Sequence, residues 1–194
     1  MRNPLSKLVT ELEPSGIRRF FDVASTMDNV ISLGVGEPDF DTPWHIREEG
    51  IYSLEKGRTY YTSNAGLLPL RQEISRYLQE RFELPYEANE ILVTVGGSEA
   101  IDICMRAMLD PGDEVILPEP CFVSYLPCVR MAGGTPVHVS LEEKDEFKLT
   151  GKKLREAITD KTKLLVLPFP NNPTGAVYNE LQLKEWIDYA IANE

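Results

Sequence analysis

Two glycine-bearing turns and one aromatic carry the residue types from which a ligand site can be built. Gly96-Gly97-Ser98-Glu99-Ala100 joins a short apolar run to an amphipathic segment. Backbone N–H groups at a helix N-terminus attract anions, and the helix dipole adds to the attraction. Glycine lets an anion approach the backbone closely, and a Ser98 hydroxyl can add a donor. The turn is either a phosphate cradle or a plain β-α connection in which Ser98 caps the helix and no ligand is needed. Asn171-Asn172-Pro173-Thr174-Gly175 follows another apolar run. Pro and Gly make a turn there, and the two amides offer donors and acceptors. A place at the end of a buried strand, where open α/β sheets bind ligands, favours an amide aimed at a ligand oxygen over turn chemistry alone. Phe122 ends the stretch Pro118-Glu119-Pro120-Cys121-Phe122. An aromatic at such a position can stack on a flat ligand, although spacing alone favours a core ring that covers the sheet end.

Other polar residues offer less. The loop Gly34-Val35-Gly36-Glu37-Pro38-Asp39-Phe40 has two glycines and two carboxylates, and Thr59-Tyr60-Tyr61-Thr62 has adjacent tyrosines. The first also reads as an ordinary surface loop, and the second as a polar loop with one tyrosine ring buried and one exposed. His45 and His138 stand apart from each other, from cysteine and from acidic clusters, so neither is expected to ligate a metal or act as a general base. Cys104, Cys121 and Cys128 are odd in number and lack CxxC spacing, which indicates neither a disulfide framework nor a zinc site. No GxSxG, Walker loop or GxGxxG occurs.

The elements that would position these turns follow from periodicity. Helices are expected over 15–26, from the Thr42-Pro43 start to Lys56, over 67–82, 98–109, 121–132, 152–158 and 180–191. Strands are expected over 30–33, 91–95, 114–117, 136–139 and 164–167. The first dozen residues show no clear period. From residue 90 onward, apolar strands alternate with helices, which predicts an α/β fold: a mainly parallel sheet with helices on both faces. Right-handed crossovers would bring the strand-to-helix turns to one edge.

Composition narrows the function classes. The 194 residues carry a net charge of −11, with 42% hydrophobic and 26% charged residues, so a globular α/β protein is expected and disorder is not. The acid surplus argues against nucleic acid and against an anionic membrane surface as partners. No run approaches ~20 apolar residues, and Met1–Leu8 has no signal-peptide core. A cytoplasmic location is the expectation.

Taken in order, Gly36-Glu37-Pro38-Asp39-Phe40, Tyr61 before Asn64-Ala65-Gly66, Val95-Gly96-Gly97-Ser98-Glu99-Ala100, Asp110-Pro111-Gly112-Asp113-Glu114-Val115 and Asn172-Pro173-Thr174-Gly175 form a series. This series resembles the class I and II aminotransferases, the fold-type I pyridoxal-phosphate enzymes, and in particular their bacterial branch containing aspartate and aromatic aminotransferases. The resemblance covers nearly the whole chain. It implies pyridoxal 5'-phosphate as cofactor, an amino acid and a 2-oxo acid as substrates, and a homodimer. It implies that the backbone at Ser98 and Glu99 holds the cofactor phosphate, that Phe122 stacks on the pyridine ring, and that Asn172 hydrogen-bonds the ring's phenolic oxygen. Gly36 would lie near the substrate carboxylate, with Phe122 and Asn172 also bordering the substrate. Tyr61 would reach the phosphate held by the partner subunit. Phe122 stands where some members have tryptophan, so stacking is kept and an indole N–H is lost.

The resemblance also implies a Schiff-base lysine, an aspartate facing the pyridine nitrogen and an arginine for the substrate carboxylate, and no residue here stands in the matching motifs. Lys161 and Lys163 read as solvated charges. The expectation is therefore the N-terminal half of a longer enzyme: residues 1–45 an N-terminal arm and small-domain segment, residues 46–194 an incomplete large cofactor-binding domain. Two other functions stay open from sequence: a lyase or decarboxylase on the same fold, and a non-catalytic fragment that binds phosphate or protein.

Overall fold

The computed structural model describes residues 3–12, 16, 23, 26–31, 34, 36 and 38–192. Most of the expected helix over 15–26, and half of the expected strand over 30–33, lie outside them. Two compact units divide the chain: residues 14–95 form one, and residues 1–13 with 96–194 form the other.

In the 14–95 unit, α2 spans Trp44–Glu55 and α3 spans Leu68–Phe82. Pro43 caps α2 without a side-chain hydrogen bond. Its fixed φ suits the position just before a helix. A 3-10 turn, Ala88–Glu90, is closed by a capping box between Glu87 and Glu90. Arg71 on α3 donates to the carbonyl of Ala88 at 2.9 Å, which ties the turn to the helix. The run 91–95, expected as a strand, lies outside the described sheet. Val93 N instead donates to the carbonyl of Ala65 at 3.1 Å. Gly66, at φ +96°, sits where a Cβ would come within 2.8 Å of Val93 Cβ, so the apolar run is spent on a close loop contact rather than on a ladder.

The other unit contains the sheet. Helix α1, Lys7–Glu11, begins at Ser6, whose hydroxyl accepts from Val9 N; periodicity did not announce it because five residues hold too little of a helical period. Helix α4 spans Gly97–Met108, β1 Glu114–Glu119, α5 Tyr125–Met131, β2 Thr135–Ser140, α6 Gly151–Ala157, β3 Thr162–Leu165 and α7 Glu180–Ile191. The strands are parallel in the order β2-β1-β3. Among the described residues the three strands expected from residue 114 onward are present, and the one expected over 91–95 is not in this sheet. Strand β3 starts two residues earlier than the 164–167 run, and β1 reaches two residues further than Leu117. Helix α5 begins at Tyr125 rather than Cys121, after a short loop that ends with Ser124 at the N-cap.

Alternation along β1 sorts its side chains into two cores. Val115 and Leu117, both 0% exposed, face Met105 and Leu109 of the α4 segment and Cys128 and Val129 of α5. Ile116, also 0% exposed, faces Val139, Leu149, Leu154 of α6 and Trp186 of α7. The chain through and beyond β3 repeats the pattern, with Leu164 and Val166 in the first core and Leu165 and Leu167 in the second. Period-two placement over helices on both sides is the α/β architecture that the alternation of strands and helices implied. Val166 N donates to the carbonyl of Ile116 at 3.0 Å, carrying the ladder beyond β3 toward the Asn171 turn.

Candidate cofactor and substrate site

Three segments of the sheet-bearing unit meet where β1 ends. The first is the start of α4. Gly96 caps it at φ +83° and ψ 171°, a region open essentially to glycine alone, with no side-chain hydrogen bond to the helix. A Cβ on Gly96 or Gly97 would meet nothing within 4 Å, so the backbone here faces open space. The opening N–H groups of a helix have no partner within it. Ser98 does not act as the cap; it is the second helical residue and is exposed. Glu99, also exposed, follows in the first turn and adds a negative charge there.

The second segment is the loop from Glu119 to Ser124. Phe122 is half-buried in it and packs edge-on against Tyr125, with ring centroids 5.7 Å apart. It belongs to the loop before α5, not to the helix. Ser124 Oγ lies 3.0 Å from Ser98 Oγ, which joins this loop to the start of α4. Cys128 Sγ approaches the carbonyl of Ser98 at 4.0 Å from below. Burial, with Glu119 as a lesser cause, pushes the Cys121 thiol up to about 11. Burial, then Cys121, raises the Tyr125 phenol as well.

The third segment is the Asn171 turn. Its second amide, Asn172, is exposed. Its first, Asn171, is 6% exposed and donates through Nδ2 to the carbonyl of Pro120 at 3.1 Å and to Thr174 Oγ1 at 2.9 Å. The turn closes with Gly175 N donating to the carbonyl of Asn171 at 2.7 Å and Asn171 N donating to that of Ala176 at 2.9 Å. Ser98, Phe122 and the Asn171-Asn172 pair thus stand on segments that hydrogen bonds tie together. Asn171, Ser124 and Thr174 were not singled out from sequence. Asn171 was one of two equivalent amides in a motif, and only burial separates them.

Gly36 and Tyr61 belong to the other unit, where both are exposed. His138 is not isolated: its Nδ1 is 2.8 Å from Glu119 Oε1. The parallel register sets Glu119 opposite Ser140, so His138 falls on the diagonal across the β1–β2 pair. A one-dimensional spacing of 19 residues hides that neighbour. Lys163 is likewise paired, at 3.5 Å from Asp113 Oδ2.

The arrangement suits a phosphate-bearing flat ligand. Glycine backbone at a helix start and the Ser98 hydroxyl suit a phosphate; the Phe122 ring suits an aromatic face; an exposed amide suits a ring oxygen. The residues present therefore fit pyridoxal phosphate.

Comparison with known proteins agrees. A family model for aminotransferase class I and II matches residues 28–193. The putative aminotransferase YugH of Bacillus subtilis is 54% identical over 191 residues, covering 98% of this chain and 50% of that protein. The aspartate aminotransferase of Pyrococcus abyssi is 44% identical over 184 residues, 94% of this chain and 47% of that one. Among solved structures, the aspartate aminotransferase from Thermus thermophilus with maleate matches at a TM-score of 0.91 and 37% identity, over 100% of this chain and 52% of that one. The chain spans about half the length of the curated relatives it matches.

Proposed function

Because this chain belongs to the class I and II aminotransferase family, whose members depend on pyridoxal phosphate, we propose that the complete protein moves an amino group from an amino acid to a 2-oxo acid. The observation that supports this reading is the meeting of the glycine-rich helix start, the Phe122 loop and the Asn172 turn at one end of the parallel sheet, held by the Ser98–Ser124 and Asn171–Pro120 hydrogen bonds.

When bound, pyridoxal phosphate supplies an electron-accepting ring for chemistry at the substrate's Cα. The chain's own part is binding and orientation. Backbone N–H groups at Ser98 and Glu99 hold the phosphate, aided by the dipole of α4 and the Ser98 hydroxyl. This matters in a chain of net charge −11, whose general field repels an anion. Phe122 covers one face of the ring and keeps water from it. Asn172 donates from its amide to the phenolic oxygen, and Gly36 lets the substrate carboxylate approach backbone. Tyr61 donates to the phosphate of the partner subunit, which makes the working unit a homodimer, acting in the cytoplasm. Residues 1–45 serve as an arm and small-domain segment, and residues 46–194 as part of the large domain.

A panel of amino acids and 2-oxo acids, assayed with the complete protein and added pyridoxal phosphate, tests the reading. Turnover that requires both an amino acid and a 2-oxo acid is expected. Cofactor binding without amino-group transfer to any 2-oxo acid would contradict it.

A further inference from the structure

We propose that Asn171 is a positioning residue that fixes the Phe122 loop against the Asn172 turn, so that ring face and amide meet the cofactor at one set spacing. The inference rests on the cofactor reading above. Among the described residues Asn171 is the one buried polar side chain. Its two amide N–H groups are both used, on Pro120 and on Thr174. A proline carbonyl can only accept, so the contact with Pro120 fixes which way the amide faces. Pro120 stands two residues before Phe122, and Asn171 immediately precedes Asn172. One side chain therefore bridges the two site segments across 51 residues of sequence. Its own backbone is bonded on both sides within the turn, to Gly175 and Ala176, so the amide cannot shift without opening the turn.

The oxygen of that amide, Oδ1, is buried and has no partner among the described residues. A buried acceptor left unsatisfied is costly. An asparagine that served packing alone would be replaced by an apolar side chain at no such cost, whereas the bridge needs both N–H groups and so carries the idle oxygen.

The test uses the complete protein and pyridoxal phosphate itself. Wild type, Asn171→Ala and Asn171→Asp are compared by equilibrium binding, by circular dichroism in the cofactor's absorption band, and by melting temperature. Asn171→Ala is expected to bind about tenfold more weakly, the scale of one lost hydrogen bond, and to lose induced dichroism. Asn171→Asp, with an oxygen facing the Pro120 carbonyl, is expected to do at least as badly. Variants that melt earlier yet bind with unchanged affinity and dichroism would show a purely structural role and overturn the proposal. Should neither variant fold, the wild type decides. On saturation with cofactor the Asn171 side-chain NH2 resonances move together with the Ser98 N–H; movement of Ser98 alone overturns the proposal. Failure of the wild type to bind cofactor at all is a different result: it removes the cofactor reading and this inference with it.

Discussion

Ser98 and Ser124 share a hydrogen bond of 3.0 Å between their hydroxyls, which ties the first turn of α4 to the loop that carries Phe122. One of the two hydroxyls donates to the other, so Ser124 sets the direction in which the Ser98 hydroxyl offers its remaining hydrogen or lone pair. Ser124→Ala frees that rotor and leaves Ser98 to reorient. Cofactor affinity of the complete protein is expected to fall about three- to tenfold, the worth of a neutral hydrogen bond. Equilibrium titration with pyridoxal phosphate measures it. Unchanged affinity would mean that the Ser98 hydroxyl takes no part.

Gly96→Ala places a Cβ on a residue at φ +83°. Open space around it removes any steric clash with neighbours, so the whole effect is backbone strain. The expected loss of stability is about 1–3 kcal/mol, together with weaker cofactor binding, since the start of α4 must rotate to relieve the strain. Denaturant unfolding reads the first and titration the second. An equally stable variant would show that this turn adopts another conformation in solution.

Thiol chemistry separates the three cysteines. Cys104 is exposed, Cys121 is half-buried beside Phe122, and Cys128 is buried. Burial raises the Cys128 thiol as well as that of Cys121. A Cys121 thiol raised from 9.0 to about 11 carries roughly 100-fold less thiolate at pH 8 than an unperturbed one. Iodoacetamide at pH 8, followed by mass mapping, is expected to label Cys104 first and Cys121 and Cys128 slowly. The sign for stability follows from the same shift. The folded state binds the Cys121 proton more tightly than the unfolded state, so its contribution is complete below the ordinary thiol range and fades as pH rises through about 11. Early labelling of Cys121 would contradict the packing of the Phe122 loop.

Much of this architecture is legible in the chain itself. Apolar runs alternating with helices gave the parallel sheet, because a strand covered on both faces must be apolar at nearly every position, as Val115, Ile116 and Leu117 are. Two of the three segments that meet at the end of β1, the Gly96 turn and the Asn172 turn, belong to the motif series, and the Phe122 loop lies outside it. What periodicity cannot carry is partnership. The run 91–95 has the apolarity of a strand, yet its backbone turns to Ala65 instead. His138 and Glu119 meet only through the register of β1 and β2. Asn171 and Asn172 are the same residue type side by side, and only the turn decides which is buried as the bridge and which is left exposed.

The 194-residue chain by itself is expected not to transaminate, since none of its lysines stands in a motif matching the cofactor-bearing lysine. Strand β3 is an outer strand of the described sheet, and the backbone edge it turns away from β1 pairs with no other strand of that sheet. Outer strands of that kind associate edge to edge. The isolated chain is therefore expected to sediment as an oligomer or to aggregate. A well-behaved monomer that binds no hydrophobic dye, or turnover above the free-cofactor background, would contradict this.

The most direct measurement is the half-reaction. The complete protein, loaded with pyridoxal phosphate and freed of excess, is mixed with an amino acid it accepts in the absence of any 2-oxo acid, and the released products are counted. The account predicts one equivalent of 2-oxo acid per subunit and then a halt, with the amino group retained by the enzyme until a 2-oxo acid is added and a new amino acid leaves. Continuous release of carbon dioxide or ammonia, with no halt at one equivalent, would assign the protein to decarboxylase or lyase chemistry and contradict it.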